Sequence, residues 1–159
     1  MAAGDVFVYN DTGKRLALGD VNFDTDTFKI ALYTVTATVN NVALVDPYFD
    51  VAPFTSNQVT GTNYTAGGET LATTNFAISG GGASAVVQID NADTPAVSWT
   101  QHATGPNNIR WGVLYDDTPA SNKPCICYIT FGEGADISLQ DGDITFTFNA
   151  TDAFTITRS

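Results

Sequence analysis

Residues Trp99 to Phe131 read WTQHATGPNNIRWGVLYDDTPASNKPCICYITF, and the turn chemistry in the middle divides the stretch into two facing strands. Ile109, Trp111, Val113 and Tyr115 alternate with Arg110, Gly112 and Leu114, the period-two pattern of a strand with a buried face. Asp116-Asp117-Thr118-Pro119 through Lys123-Pro124 turns the chain, because Pro presets φ and Asp and Asn bond back to their own backbone. Cys125 to Phe131 then runs back as a second apolar strand. Ile109 to Asp116 beside Pro124 to Phe131 is therefore expected to form the antiparallel centre of a sheet.

Outward from this hairpin the same grammar recurs. Val6 to Tyr9 reads as a short strand, and Asp11 to Gly19 as one or two helical turns ended by Gly19. Phe28, Ile30 and Leu32 line one face of a strand that continues, polar and β-branched, to Val39. Asp46-Pro47-Tyr48-Phe49-Asp50-Val51-Ala52-Pro53-Phe54 is bracketed by prolines and too apolar for a free loop, so it is expected to cover one end of a sandwich. Thr55 to Gly68 is a long polar loop whose Ala66-Gly67-Gly68 tip suits positive φ. Thr70 to Ser79 and Ala85 to Ile89 flank Gly80-Gly81-Gly82 as a hairpin, and Ala96 to Trp99, Asp136 to Leu139, Asp143 to Asn149 and Ala153 to Thr157 supply further strands. The expected fold is all-β: a two-sheet antiparallel sandwich, jelly-roll-like, of about nine strands, with at most one short helix near the N-terminus. No repeat of fixed period and no linker divides the chain, so residues 1–159 are read as a single domain with residues 1–11 as a candidate N-terminal arm.

Composition agrees. Of the 17 acidic residues only Glu69 and Glu133 are Glu; Asp favours turns, whereas a helical protein leans on Glu and Lys. A net charge of -11 with six scattered basic residues offers no basic stripe for phosphates, which argues against nucleic acid and against anionic membrane surfaces as partners. No window is apolar over the ~18 residues of a membrane span, and Met1-Ala2-Ala3-Gly4-Asp5 lacks the basic start and apolar core of a secretory signal, so synthesis in a cytoplasm is expected. Cys125 and Cys127 stand two apart on one strand; strict alternation would point both the same way and leave them unable to pair with each other.

Chemistry is sparse. His102, the one histidine, sits in a polar loop with no serine in a nucleophile turn beside it. Asp116-Asp117 and Asp141-Gly142-Asp143 read as turn acids rather than a glycosidase pair. Asp24-Thr25-Asp26 and Asp141-Gly142-Asp143 are calcium-like pairs, yet neither is followed by the spaced oxygens and closing Glu of an EF-hand. The expectation is no catalytic residue, no cofactor and no metal site. Trp99, Trp111, Tyr115, Tyr128 and Phe131 fall in the best-patterned strands and read as core, whereas Tyr33, Tyr48 and Tyr64 fall at strand ends and in loops, where Tyr favours interfaces. With Asp116 and Asp117 of the hairpin loop, these three tyrosines form the candidate interface.

Several motifs together resemble a family of small β-rich proteins encoded among the structural genes of tailed bacteriophages. They are Gly19-Asp20-Val21-Asn22-Phe23, Thr27 to Leu32, Gly61-Thr62-Asn63-Tyr64-Thr65-Ala66-Gly67-Gly68-Glu69-Thr70-Leu71, Trp99, Arg110 to Thr118, Tyr128 to Gly132, and Gly142 to Phe146. Pro106-Asn107-Asn108 before Arg110, and Thr130-Phe131-Gly132 in place of Asp-Phe-Gly, depart from the family pattern. The resemblance implies a non-enzymatic virion component made in the bacterial host cytoplasm, a capsid decoration (cement) protein clamping the major capsid protein or other virion proteins, and a homo-oligomer, with a trimer expected. Its alternatives are a neck, tail or fibre-associated component, and a carbohydrate-binding attachment module.

Overall fold

The computed structural model describes residues 5–71, 75–81, 84–90, 96–131, 135–147 and 154–157. They form β1 (Val6–Val8), α1 (Asn10–Leu18), β2 (Phe28–Thr34), β3 (Glu69–Thr70), β4 (Asn75–Gly81), β5 (Ser84–Asp90), β6 (Ala96–Trp99), β7 (Ile109–Asp116), β8 (Cys125–Thr130), β9 (Ile144–Thr147) and β10 (Phe154–Thr157). The molecule is mostly β, its ladders are antiparallel, and among the described residues α1 is the one α-helix. Five strands form the main sheet in the order β1-β8-β7-β2-β3, with further ladders β10-β5-β4 and β6-β9. The hairpin expected between β7 and β8 is present, and β7 has β2 as its other neighbour, with Ile30 opposite Leu114.

The central strands β2, β7 and β8 of the main sheet are buried on both faces, and the two faces are sealed differently. On one, Phe28, Ile30 and Leu32 of β2 join Leu114, Cys127 and Ile129 beneath Val97 and Trp99 of β6, Ile144 of β9 and Leu139. On the other, Ala31, Tyr33, Trp111, Val113, Tyr115, Cys125 and Tyr128 are covered by Ala37, Val39, Phe54 and Tyr9. The proline-bracketed segment expected at one end of a sandwich therefore lies over a sheet face, with Phe49 stacked on Tyr115 at 3.7 Å between ring centroids. This explains why β2 stops at Thr34 rather than running to Val39: from residue 35 the chain leaves the ladder and becomes cover.

A β-bulge separates the two cysteines. Leu114 pairs with Cys127 but Tyr115 pairs with Cys125, so Ile126 is an extra residue in β8. Cys125 accordingly enters the aromatic face and Cys127 the aliphatic one, against the expectation that they share a face. Both are free and buried. The displaced Ile126 carbonyl accepts the Tyr9 N–H at 3.0 Å and the Thr12 hydroxyl at 2.8 Å, which docks α1 on the bulge. The helix ends where expected, at Gly19 with φ +76°, whose N–H and that of Asp20 cap the carbonyls of Leu16 and Arg15.

Two glycines in and around the main sheet stand at close approaches. Gly68 has φ +80°, and a Cβ there would lie 1.7 Å from the Ile30 carbonyl oxygen. At Gly112 the ring of Phe131 occupies the side-chain position, 2.8 Å from where a Cβ would stand.

Candidate functional site

The N-terminal end of β2 and the C-terminal end of β7 meet at the two adjacent acids of the hairpin loop, and strand alternation sends these to opposite environments. Asp117 is outward, where it bonds Lys29 at 2.7 Å and also Lys123. Burial raises its pKa and the two ammonium groups outweigh that, leaving the carboxyl below the ordinary range. Asp116 is 0% exposed and opposite Phe28 in the ladder. Its Oδ1 accepts the Thr118 N–H at 2.8 Å, while Oδ2 is buried without a donor. Burial pushes its pKa up to about 6, Thr118 bonds oppose the rise, and the carboxyl of Asp26 reinforces it.

Asp26 belongs to the loop Asn22-Phe23-Asp24-Thr25-Asp26, which is wound on itself. The Asp26 Oδ2 accepts the Asn22 N–H at 2.6 Å, the Asn22 Oδ1 accepts the Asp24 N–H at 3.0 Å, and the Asp26 N–H donates to the Asn22 carbonyl at 2.9 Å. Phe23, stacked on Phe28 at 5.0 Å, anchors this loop to the core. The loop is joined to the hairpin by the Thr27 N–H donating to the Thr118 hydroxyl at 2.7 Å and by the Asp117 N–H donating to the Thr27 carbonyl at 2.8 Å. Two segments some ninety residues apart in sequence thus share one acidic corner.

A second polar constellation surrounds Arg15 of α1. Its guanidinium bonds Asp11 at 2.8 Å, Asp20 at 3.2 Å and Asp46, and lies 4.7 Å above the ring of Tyr48. Arg15, Asp20, Tyr48, Pro119, Asn122 and Pro124 line a shallow depression of about 250 Å³. Beside it, the Asp50 carboxylate accepts the N–H groups of Asn122 and Lys123 at 2.7 and 3.0 Å. This fastens the Asp116 to Lys123 loop to the cover segment.

The candidate interface residues separate on this geometry. Tyr33 is 0% exposed and donates its hydroxyl to the Phe54 carbonyl at 2.8 Å, so its surface is spent on packing. Tyr64 is half-buried against Trp99, and its hydroxyl accepts the Leu32 N–H at 3.0 Å. Asp116 is enclosed, whereas Tyr48 and Asp117 retain some accessible surface. The Thr55 to Gly68 loop is tied down by Gln58, whose Oε1 accepts the Gly67 N–H at 2.9 Å, and by the Tyr115 hydroxyl donating to the Gly67 carbonyl at 2.9 Å. Of the candidate arm at residues 1–11, Val6–Val8 is strand β1 and residues 10 and 11 open α1; residues 1–4 lie outside the described part. His102 accepts the Thr104 N–H through Nδ1 at 3.1 Å in a turn of its own loop. Sequence reading missed exposed aliphatics on α1 and the cover segment: Leu18 is 65% and Val45 86% exposed, with Val35 and Val51 also open to solvent. They stand beside other apolar residues, Leu16-Ala17 before Leu18 and Val42-Ala43-Leu44 before Val45, so the local pattern does not tell which of them is exposed. Comparison with protein-family models, curated proteins and solved structures finds no match for the chain.

Proposed function

We propose that the chain is a non-enzymatic structural protein of a tailed-phage virion, a decoration protein that clamps neighbouring capsid subunits as a homo-oligomer, with a trimer as the favoured state. The reading starts from the sequence resemblance, and the structural observation that supports it is the pinned, partly aliphatic surface of the helix and cover segment. Leu18 stands one turn from Arg15, and Val45 adjoins Asp46, the residue that Arg15 holds. Aliphatic groups fixed beside an ion-pair cluster provide the apolar centre and polar rim of a protein contact, without ordering cost on binding. The fold that goes with this function is a jelly-roll-like two-sheet sandwich, in which the β6-β9 ladder packs on the main sheet through Val97, Trp99 and Ile144.

The test is copy number in purified particles, combined with Leu18→Asp and Val45→Asp. Decoration predicts on the order of hundreds of copies per head, a ring at the neck or tail about six or twelve. The charged variants are expected to remain folded, since both side chains are exposed, and to lose occupancy on the head. Heads that keep full thermal resistance without the protein, with only a ring of copies in wild-type particles, would transfer the reading to a neck or tail component.

A further inference from the structure

We propose that the joint between the loop at residues 22–27 and the β7-β8 hairpin is a proton-operated latch, closed while the side chain of Asp116 is neutral and loosened once it ionises. The inference does not depend on the virion reading. Asp116 ends β7, stands opposite Phe28 in the ladder and donates its N–H to the Pro124 carbonyl at 2.9 Å, so its backbone is held from both sides. Its side chain is enclosed, at 0% exposure.

The two oxygens of that carboxyl are treated unequally. Oδ1 accepts the Thr118 N–H at 2.8 Å, whereas Oδ2 is buried with no donor. A carboxylate spreads its charge over both oxygens, so a dry, unbonded Oδ2 penalises the ionised form, and a proton there removes the charge. The charged neighbours do not make up the missing donor. Lys29 of β2 and Lys123 of the hairpin loop are both engaged by Asp117. Asp26, on the loop before β2, is a further acid and already accepts the Asn22 N–H, and Asp50 of the cover segment is bonded to the N–H groups of Asn122 and Lys123. Burial accordingly pushes the Asp116 pKa up to about 6 against the opposing Thr118 bonds, and the negative charge of Asp26 adds to the rise.

Ionisation acts on the joint through its immediate neighbours. The Thr27 N–H donates to the hydroxyl of Thr118, the residue that holds Oδ1, and the Thr27 carbonyl accepts the N–H of Asp117, the residue that follows Asp116. A carboxylate that turns toward water therefore pulls on both bonds. Because the folded pKa lies above the unfolded one, Asp116 does not penalise folding below the ordinary carboxylate range; the penalty grows as pH rises from that range and is complete above about 6.

The test uses the full chain and Asp116→Asn, which keeps the shape of the side chain and stays neutral at every pH. Urea unfolding of both is measured from about pH 4 to about pH 8, and the folded-to-unfolded ratio of the variant is expected to gain at least about tenfold on wild type across that range. His102, the one histidine, is present in both proteins, so its contribution cancels. The Thr27 amide should exchange faster in wild type than in the variant near pH 8 and alike in both near pH 4, which locates the effect at the joint. Carbon-13 NMR of the wild-type side-chain carboxyls should give Asp116 a midpoint within about one unit of 6, a measurement that decides even if the variant does not fold. A folded-state midpoint below about 4.5, or a difference between the proteins that stays flat with pH, overturns the proposal. So does a difference that grows with pH while Thr27 exchanges alike in both.

Discussion

Replacing Gly68 by Ala would set a methyl group 1.7 Å from the Ile30 carbonyl oxygen, 2.5 Å from its carbon and 2.8 Å from the Ala31 Cα. All three atoms are backbone of β2, so no side chain can rotate away. Relief requires β3 to lift from β2, or β2 to shift against β7 where six residue pairs run in one register and a seventh follows a bulge. The left-handed backbone itself costs an L-residue about 1–2 kcal/mol, and overpacking against a fixed neighbour adds about 1–3 kcal/mol. The expected loss is therefore about 2–5 kcal/mol. For a chain of this size that corresponds to a midpoint roughly 5–20 °C lower. Urea and thermal unfolding, followed by tryptophan fluorescence and circular dichroism, measure it. Gly13→Ala is the control: it lies within α1 with nothing within 4 Å of an added Cβ, and helix propensity predicts a gain of up to about 1 kcal/mol. A Gly68→Ala protein within about 0.5 kcal/mol of wild type would refute the close approach of β3 to β2.

Three further outcomes follow from the packing. Native Cys125 and Cys127 should resist a thiol reagent at pH 8 and react after denaturation, because burial pushes the Cys127 pKa up to about 12 and raises that of Cys125 well above its ordinary value; rapid labelling of folded protein would contradict their enclosure. Tyr9→Phe deletes the hydroxyl that donates to the Val39 carbonyl at 2.6 Å and leaves that carbonyl unpaired, an expected loss of about 1–2 kcal/mol in urea unfolding. Asp50 is raised by burial and lowered more strongly by the N–H groups of Asn122 and Lys123, for a net fall. Its folded pKa lies below the unfolded one, so its stabilisation is present above the unfolded carboxylate range and vanishes as pH drops through the folded value. Asp50→Ala should thus lower stability at pH 7 by about 1 kcal/mol and narrow the gap to wild type in acid; an equal gap at both pH values would count against those bonds.

Local signals carried much of the architecture. The alternation of Ile109 to Tyr115, the face Phe28-Ile30-Leu32 and the helix stop at Gly19 each reflect backbone preferences within a few residues, and each matches an element. The place of the cover was not legible: Trp111, Val113 and Tyr115 read as core and residues 46–54 as a covering segment, but irregular chain has no periodicity that says which face it lies on. Tyr33 looked like a strand-end interface residue for that reason; only the fold shows Phe54 above it. The bulge at Ile126 is likewise invisible in CICYIT, since one unpaired residue depends on how β7 and β8 are aligned. Asp116 and Asp117 are identical in type and adjacent, and one step of the pleat decides that one is entombed and the other ion-paired. The bonds of Thr27 to Thr118 and Asp117 join segments distant in sequence, which a local pattern cannot encode.

The tyrosine hydroxyls that reach from the sheet into irregular chain set the order in which this molecule comes apart. Tyr9 holds Val39, Tyr33 holds Phe54 and Tyr115 holds Gly67, each through one bond to a carbonyl, whereas β2, β7 and β8 are laced along their whole lengths. Amide hydrogens of the segment from residue 35 to 59 should therefore exchange through partial openings at a fraction of the global unfolding free energy, while those of β7 wait for the whole sheet to dissolve. The covering layer opens on a frame that does not, so the aromatic face can be bared for a moment while the ladders beneath it stay paired.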